Sequence, residues 1–260
     1  MKLLNVIRKE LIERKKNLFI YALTIVLILL LQEFADAFIR KAVGNVIRNE
    51  TTYLNNYSIF LFLGGFITTS VMFAQDMFSR TGQHNWLMLP ASRFDKFLAK
   101  ASLTTVGYPL ALTALFAVAS LLIEALALLF FQNPIHIFNP FTQHIGLLIL
   151  HYMATQSLFL LGAAYFRKAH FVKTVLSLLI LSLVITALSA LFVRIAFAPY
   201  SNGFYGYHFV LDQNLLSQHE TLFTIAKWFG YIGYWVIMPV FCWFTAYLRV
   251  KEVEATDAIQ

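Results

Sequence analysis

The chain has 260 residues, of which 59% are hydrophobic, 16% aromatic and 13% charged, and its formal net charge is +7. Soluble domains carry roughly 25% charged residues, so a soluble enzyme or soluble binding module is excluded and an integral, all-helical membrane protein is indicated. The positive charge is scattered over short segments between apolar runs, which points to anionic lipid as its partner and away from nucleic acid.

Residues 1–17, MKLLNVIRKELIERKKN, place Leu3, Leu4, Ile7 and Leu11 on one helical face beside a dense set of bases. This pattern predicts an amphipathic interfacial helix, an elbow lying along the cytosolic membrane surface. Stretches of about 20 apolar residues, each long enough to cross a bilayer, then recur six times. Span one covers Leu18 to Ala37. Its apolar start resembles a secretory signal and Ala35-Asp36-Ala37 imitates a cleavage site, but the long basic leader and five further spans argue for a retained helix. The segment 38–56 is polar and contains Asn49-Glu50-Thr51, a glycosylation sequon too short to carry weight.

Span two, Tyr57 to Phe78, contains Gly64-Gly65, which permits close approach of another helix. Asp76 and Arg80 stand four apart at its end, the spacing of a helix-surface ion pair. Span three, Leu103 to Phe131, is longer than a bilayer requires and should tilt or protrude. Its single acid, Glu124, is a candidate for a substrate or proton path, weighed against a structural or interfacial role near the outer end. Span four, His144 to Phe166, sets His144 and His151 on one face. No other span offers matching ligands for haem or metal, so a hydrogen-bonded interface histidine is the simpler reading.

Arg167, Lys168 and Lys173 mark a short loop before span five, Thr174 to Phe197. The insert 198–226 is the longest polar-aromatic stretch; within and just beyond it, Leu215 to Trp228 fits a short amphipathic helix at the outer interface. Span six, Trp228 to Tyr247, contains Pro239, where a kink is expected. It also contains Cys242, the single cysteine, so the chain has neither an intrachain disulfide nor a Cys-based metal site. Residues 249–260 form a tail. Placing the leader, residues 79–100, the Arg167 loop and the tail on one side collects 15 of the 20 Lys and Arg residues there. The positive-inside rule then puts both termini in the cytosol, with residues 18–248 as a six-span transmembrane domain.

The loop 79–100 stands out. It holds an apolar knot from Trp86 to Leu89 that is closed by Pro90, which disfavours helix in the preceding residue. Ser92 and Asp95 then form an S-x-x-D capping signal for a new helix that runs unbroken into span three. Phe94, Phe97, Leu98 and Ala101 are expected to line its apolar face, with Arg93, Lys96 and Lys100 off it. Two uses fit: an interfacial helix on anionic headgroups, or a docking element for a cytosolic partner.

No G-x-x-x-x-G-K-[ST] phosphate loop, H-E-x-x-H or G-x-S-x-G pattern is present, so the sequence offers no recognisable site for ATP hydrolysis or for metal-assisted or serine hydrolysis. A secondary transporter would require internal repeats or charge-bearing broken helices, which the halves do not display. A non-transporting scaffold or sensor remains compatible with the spans.

With these residues in place, the whole architecture resembles the permease subunit of an ABC exporter of the second bacterial class. His84 to Lys100, HNWLMLPASRFDKFLAK, is similar to an LPxSRxxKFLxK signature of a permease group in Bacteroidetes-like bacteria. The resemblance implies a multi-pass protein of the bacterial plasma membrane, a second permease copy or paralogue forming a dimer, and separate ATPase subunits that bind ATP and Mg. This chain would then hold no cofactor and catalyse no hydrolysis. The resemblance also implies a coupling element in which Trp86, Leu87, Leu89 and Pro90 form the docking knob and Arg93, Phe94 and Lys96 lie beside it, with Arg93 and Lys96 meeting ATPase acids or lipid. The implied substrate is hydrophobic or amphipathic.

Overall fold

The structure, a computed structural model, describes residues 2–43, 52–78, 86, 88, 90–131, 137–196 and 220–257. Every regular element among them is helical. Helix α1 is Lys2–Val43. Helix α2, residues 52–78, is α-helical over Thr52–Ile59 and Gly65–Phe78 around a π turn at Phe60–Gly64. Helix α3, residues 93–131, likewise joins Arg93–Ser102 to Tyr108–Phe131 through a π turn at Leu103–Gly107. Then come α4, Gln143–Tyr165, and α5, His170–Ala196. Helix α6, residues 220–257, carries a third π turn at Gly233–Ile237. All six are long and apolar enough to cross a membrane.

Three sequence expectations change. Residues 1–17 do not form an elbow separate from span one: α1 runs without interruption from Lys2 to Val43, because no Gly or Pro interrupts that stretch and most of its leader residues favour helix. At 1.5 Å per residue, its 42 residues reach about 63 Å, twice the hydrocarbon thickness of ~30 Å. The polar segment 38–56 is shorter than expected, since α1 continues to Val43 and α2 begins at Thr52; the sequon lies outside the described residues. The expected interfacial helix at 215–228 is instead, from Glu220 onward, the first part of α6. The tail is helical through Asp257.

Two proline-linked π turns share a cause. In LTTVGYP and GYWVIMP, the proline stands six residues after the first π residue. A proline ring clashes with the carbonyl four residues earlier and offers no N–H, so the helix opens to i→i+5 bonding. Tyr108 N–H accordingly donates to Leu103 and Met238 N–H to Gly233. The kink expected at Pro239 takes this form.

Helix α4 is the centre of the bundle, packed against α2, α5 and α6, while α1 lies along α3. Its crossings demand small residues. A Cβ at Gly65 would overlap the Tyr152 ring, and one at Gly162 would overlap Thr174, so α2 and α5 approach α4 closely at these points. The buried side chains form two clusters at opposite ends. One gathers Tyr53, Tyr57, Phe116, Ile123, Phe138 and Ile145. The other gathers Phe73, Trp86, Phe97, Leu160, Ala246 and Val250. Because Glu10 of α1 reaches α3 at Lys100 and Val250 of α6 belongs to this second cluster, both chain termini belong to that end, called here the terminal end. Beyond Thr174, α5 turns mainly exposed apolar side chains outward, the arrangement expected of a helix whose solvent is lipid.

Candidate functional site

The terminal end contains Trp86, Pro90, Arg93, Phe94 and Lys96 of the residues singled out from sequence. Ser92 caps α3 as its spacing predicts: its Oγ accepts from the Asp95 N–H at 3.1 Å and donates to Asp95 Oδ2 at 2.7 Å. The carboxylate thus takes the cap's hydroxyl, a variant of the reciprocal capping box. The expected apolar face is rotated, however. Phe97 and Ala101 are buried, but so are Lys96 and Lys100, whereas Phe94 is 53% exposed.

Lys100 is fully enclosed, and an enclosed ammonium requires compensating groups. Its Nζ lies 3.6 Å from Glu10 Oε1 and 3.4 Å from the Met72 carbonyl oxygen. It also sits 4.7 Å above the Trp86 ring, a cation–π distance. Arg14 Nε donates to the other Glu10 oxygen at 3.3 Å. Lys96 donates to the Trp86 carbonyl. One hub therefore draws together the leader of α1, the end of α2, Trp86 and the start of α3.

This geometry corrects two expectations. Trp86 is 8% exposed and belongs to the buried cluster, so it is not an outward knob. Lys96 is 5% exposed and engaged within the chain, so it does not present its charge to an ATPase or to lipid. Among the described residues of this stretch, Met88, Pro90, Ser92, Arg93 and Phe94 are exposed, with Phe94 set edge-on to Tyr247 at 5.8 Å. Leu87, Leu89 and Arg80 lie outside the described residues, as does the Asp76 side chain, and with them the expected Asp76–Arg80 pair.

Nearer the middle, the π turns meet a buried polar network. With i→i+5 bonding, the carbonyl facing the missing Pro109 N–H is that of Thr104, and the Tyr152 hydroxyl donates to it at 2.9 Å. Tyr108 OH donates to the Phe60 carbonyl, in the π turn of α2, at 2.6 Å. Gln156, fully buried, donates to Thr69 Oγ1 at 3.2 Å and Thr104 Oγ1 at 3.0 Å and accepts from Thr105 at 3.0 Å. Hydroxyl and amide groups thus join α2, α3 and α4 across the buried bundle core. Sequence reading missed this network; Pro109, six residues beyond Leu103, was the available signal.

Glu124 is 2% exposed and accepts from Tyr53 OH at 2.9 Å, so it is a packed core acid and does not sit among headgroups. His151 Nδ1 lies 3.1 Å from Tyr234 OH, and its ring is 4.8 Å from that of Trp235, which fits the interface role expected of it. His144 is exposed. Among the described residues, no group of three His, Cys, Asp or Glu side chains is placed to hold a metal ion.

Comparison adds no relative: no protein-family model, curated protein or solved structure matches the chain. The geometry by itself describes a multi-pass membrane protein in which a capped helix start and the leader of α1 are joined by a charged hub, above a hydrogen-bonded core.

Proposed function

We propose that this chain is the membrane-spanning permease subunit of an ATP-driven exporter in a bacterial plasma membrane. ATP and Mg are bound by separate ATPase subunits, a second permease copy or paralogue completes the path, and both termini face the cytosol. One observation carries this reading: α3 begins with a capped, exposed start at Arg93 and Phe94 and continues into a membrane-crossing segment. Displacement of its start is thereby transmitted into the bilayer, as coupling by rigid elements requires. Met88, Pro90, Arg93 and Phe94 take over the docking role first assigned to Trp86 and Lys96, with Leu87 and Leu89 beside them in sequence.

A second reading, a scaffold or sensor without transport, is favoured by the burial of Trp86, since a tryptophan enclosed by its own chain is not offered to a partner. Purification in mild detergent separates the two. The exporter reading expects a P-loop ATPase to accompany the intact chain and to be lost with Arg93→Glu or Phe94→Ala, while Phe141→Ala, at the opposite end, retains it. An intact chain that brings no nucleotide-binding partner would favour the scaffold.

A further inference from the structure

His151 lies on the surface of the bundle at the depth of the hydrocarbon. Helix α4 has 23 residues, about 34 Å at 1.5 Å per residue, which is close to the hydrocarbon thickness of ~30 Å. On the same rise His151 stands about 12 Å beyond Gln143, and it is exposed. A histidine within a span ordinarily faces the bundle interior or a polar path, because hydrocarbon offers its ring nitrogens nothing. Here Nδ1 is paired with Tyr234 OH at 3.1 Å, and the Trp235 ring lies 4.8 Å from the imidazole. The phenol is the better donor of the pair, so in the neutral ring Nε2 carries the proton. No acceptor for that N–H is found among the described residues. A second polar group stands at the same turn. In α3 the carbonyl left bare by Pro109, that of Thr104, is met by the Tyr152 hydroxyl. Its counterpart in α6, before Pro239, is the Tyr234 carbonyl, and no side chain among the described residues donates to it.

We propose that His151, Tyr234 and Trp235 form a binding site within the membrane for an amphipathic molecule with an uncharged, hydroxyl-bearing head, which enters sideways from the bilayer. The surface beside these residues is bare. A Cβ at Gly230 or Gly233 would meet nothing within 4 Å, so neither glycine serves packing inside the chain, and the described side chains of α5 are exposed from Leu179 onward. The head is uncharged because Gln143–Tyr165 and Trp228–Leu248 contain no Asp, Glu, Lys or Arg, and a charge held there would lack a counter-ion in hydrocarbon. A hydroxyl both accepts and donates, the two roles that Nε2–H and the Tyr234 carbonyl leave open. The apolar body then lies along the exposed Leu147, one turn before His151. That the bound molecule is cargo rests on the exporter reading, whereas the binding site does not.

The test uses the purified full chain in phosphatidylcholine nanodiscs with no ATPase present. A negative result therefore leaves the exporter reading standing, and the lack of an ATPase partner leaves the site standing. The probe is a monoacylglycerol with a diazirine in its acyl chain, and photolabelling of peptides from α4 and α6 is read by mass spectrometry. Labelling is expected to saturate, to be displaced by unlabelled monooleoylglycerol, and to be displaced several-fold less by oleate, which has the same chain and a charged head. His151→Leu is expected to lower saturable labelling several-fold, and His151→Gln, which keeps an N–H donor, to restore part of it. Gly230→Leu fills the bare surface one turn before Tyr234 and is expected to lower labelling as well, which keeps the test open should loss of His151 loosen α6. Thr186→Val alters a polar residue on the exposed side of α5, where the hydroxyl donates to the Ser182 carbonyl of its own helix at 2.8 Å, and is expected to change nothing. Labelling that does not saturate, labelling equal to the parent in both His151→Leu and Gly230→Leu, or equal displacement by oleate would each overturn the proposal.

Discussion

At the terminal end, Trp86 is held by Lys96 and Lys100, and Lys100 pairs with Glu10 from another helix. At the opposite end Tyr57, Phe116 and Phe138 form an aromatic triad with ring centroids 5.3 to 5.6 Å apart. Aromatic pairs add about 0.5–1.5 kcal/mol each, and their contribution falls off gradually as packing loosens. A buried ion pair behaves differently: intact, it contributes little net stability, and with one partner removed it becomes a liability of several kcal/mol. The triad therefore suits a fixed joint. The hub suits a joint whose parts depend on one another.

Three substitutions sharpen this contrast, each read as a change in thermal unfolding in detergent. Lys100→Ala takes one of its cations from Glu10 and empties the seat under Trp86; it is expected to cost about 4 kcal/mol, the largest effect. Phe116→Ala leaves a cavity inside the triad and is expected to cost about 3 kcal/mol, since neighbours relax only partly into the space. A Phe116 effect larger than the Lys100 effect would break the proposed difference between the two ends. Ser92→Ala removes only the cap of α3 and is expected to cost about 1 kcal/mol.

The sequence made some of this legible and concealed the rest for physical reasons. The six crossings follow from apolar length, and the start of α3 follows from Ser92, Asp95 and Pro90, which act locally. The rotation of the α3 face was concealed because Lys96 and Lys100 were counted as solvated charges, and their burial depends on Glu10 and Trp86, which are distant in sequence. The same holds for Glu124, whose hydrogen-bond partner Tyr53 is 71 residues away. The unbroken α1 was legible, since Lys2 to Val43 lacks both Gly and Pro; the change from basic to apolar composition obscured it. The π turns were half legible. Pro239 announced a bend, but the hydroxyl of Tyr152 that meets the Thr104 carbonyl near Pro109 requires the fold.

In the proposed exporter, the exposed start of α3 receives force from a nucleotide-hydrolysing partner. Photo-crosslinking from Phe94, 53% exposed, and from Phe141, 94% exposed at the opposite end, tests it most directly in intact cells. A covalent adduct between position 94 and a separate P-loop ATPase is expected, and none from position 141. Adducts to lipid alone at position 94, or the same ATPase captured from position 141, would contradict it.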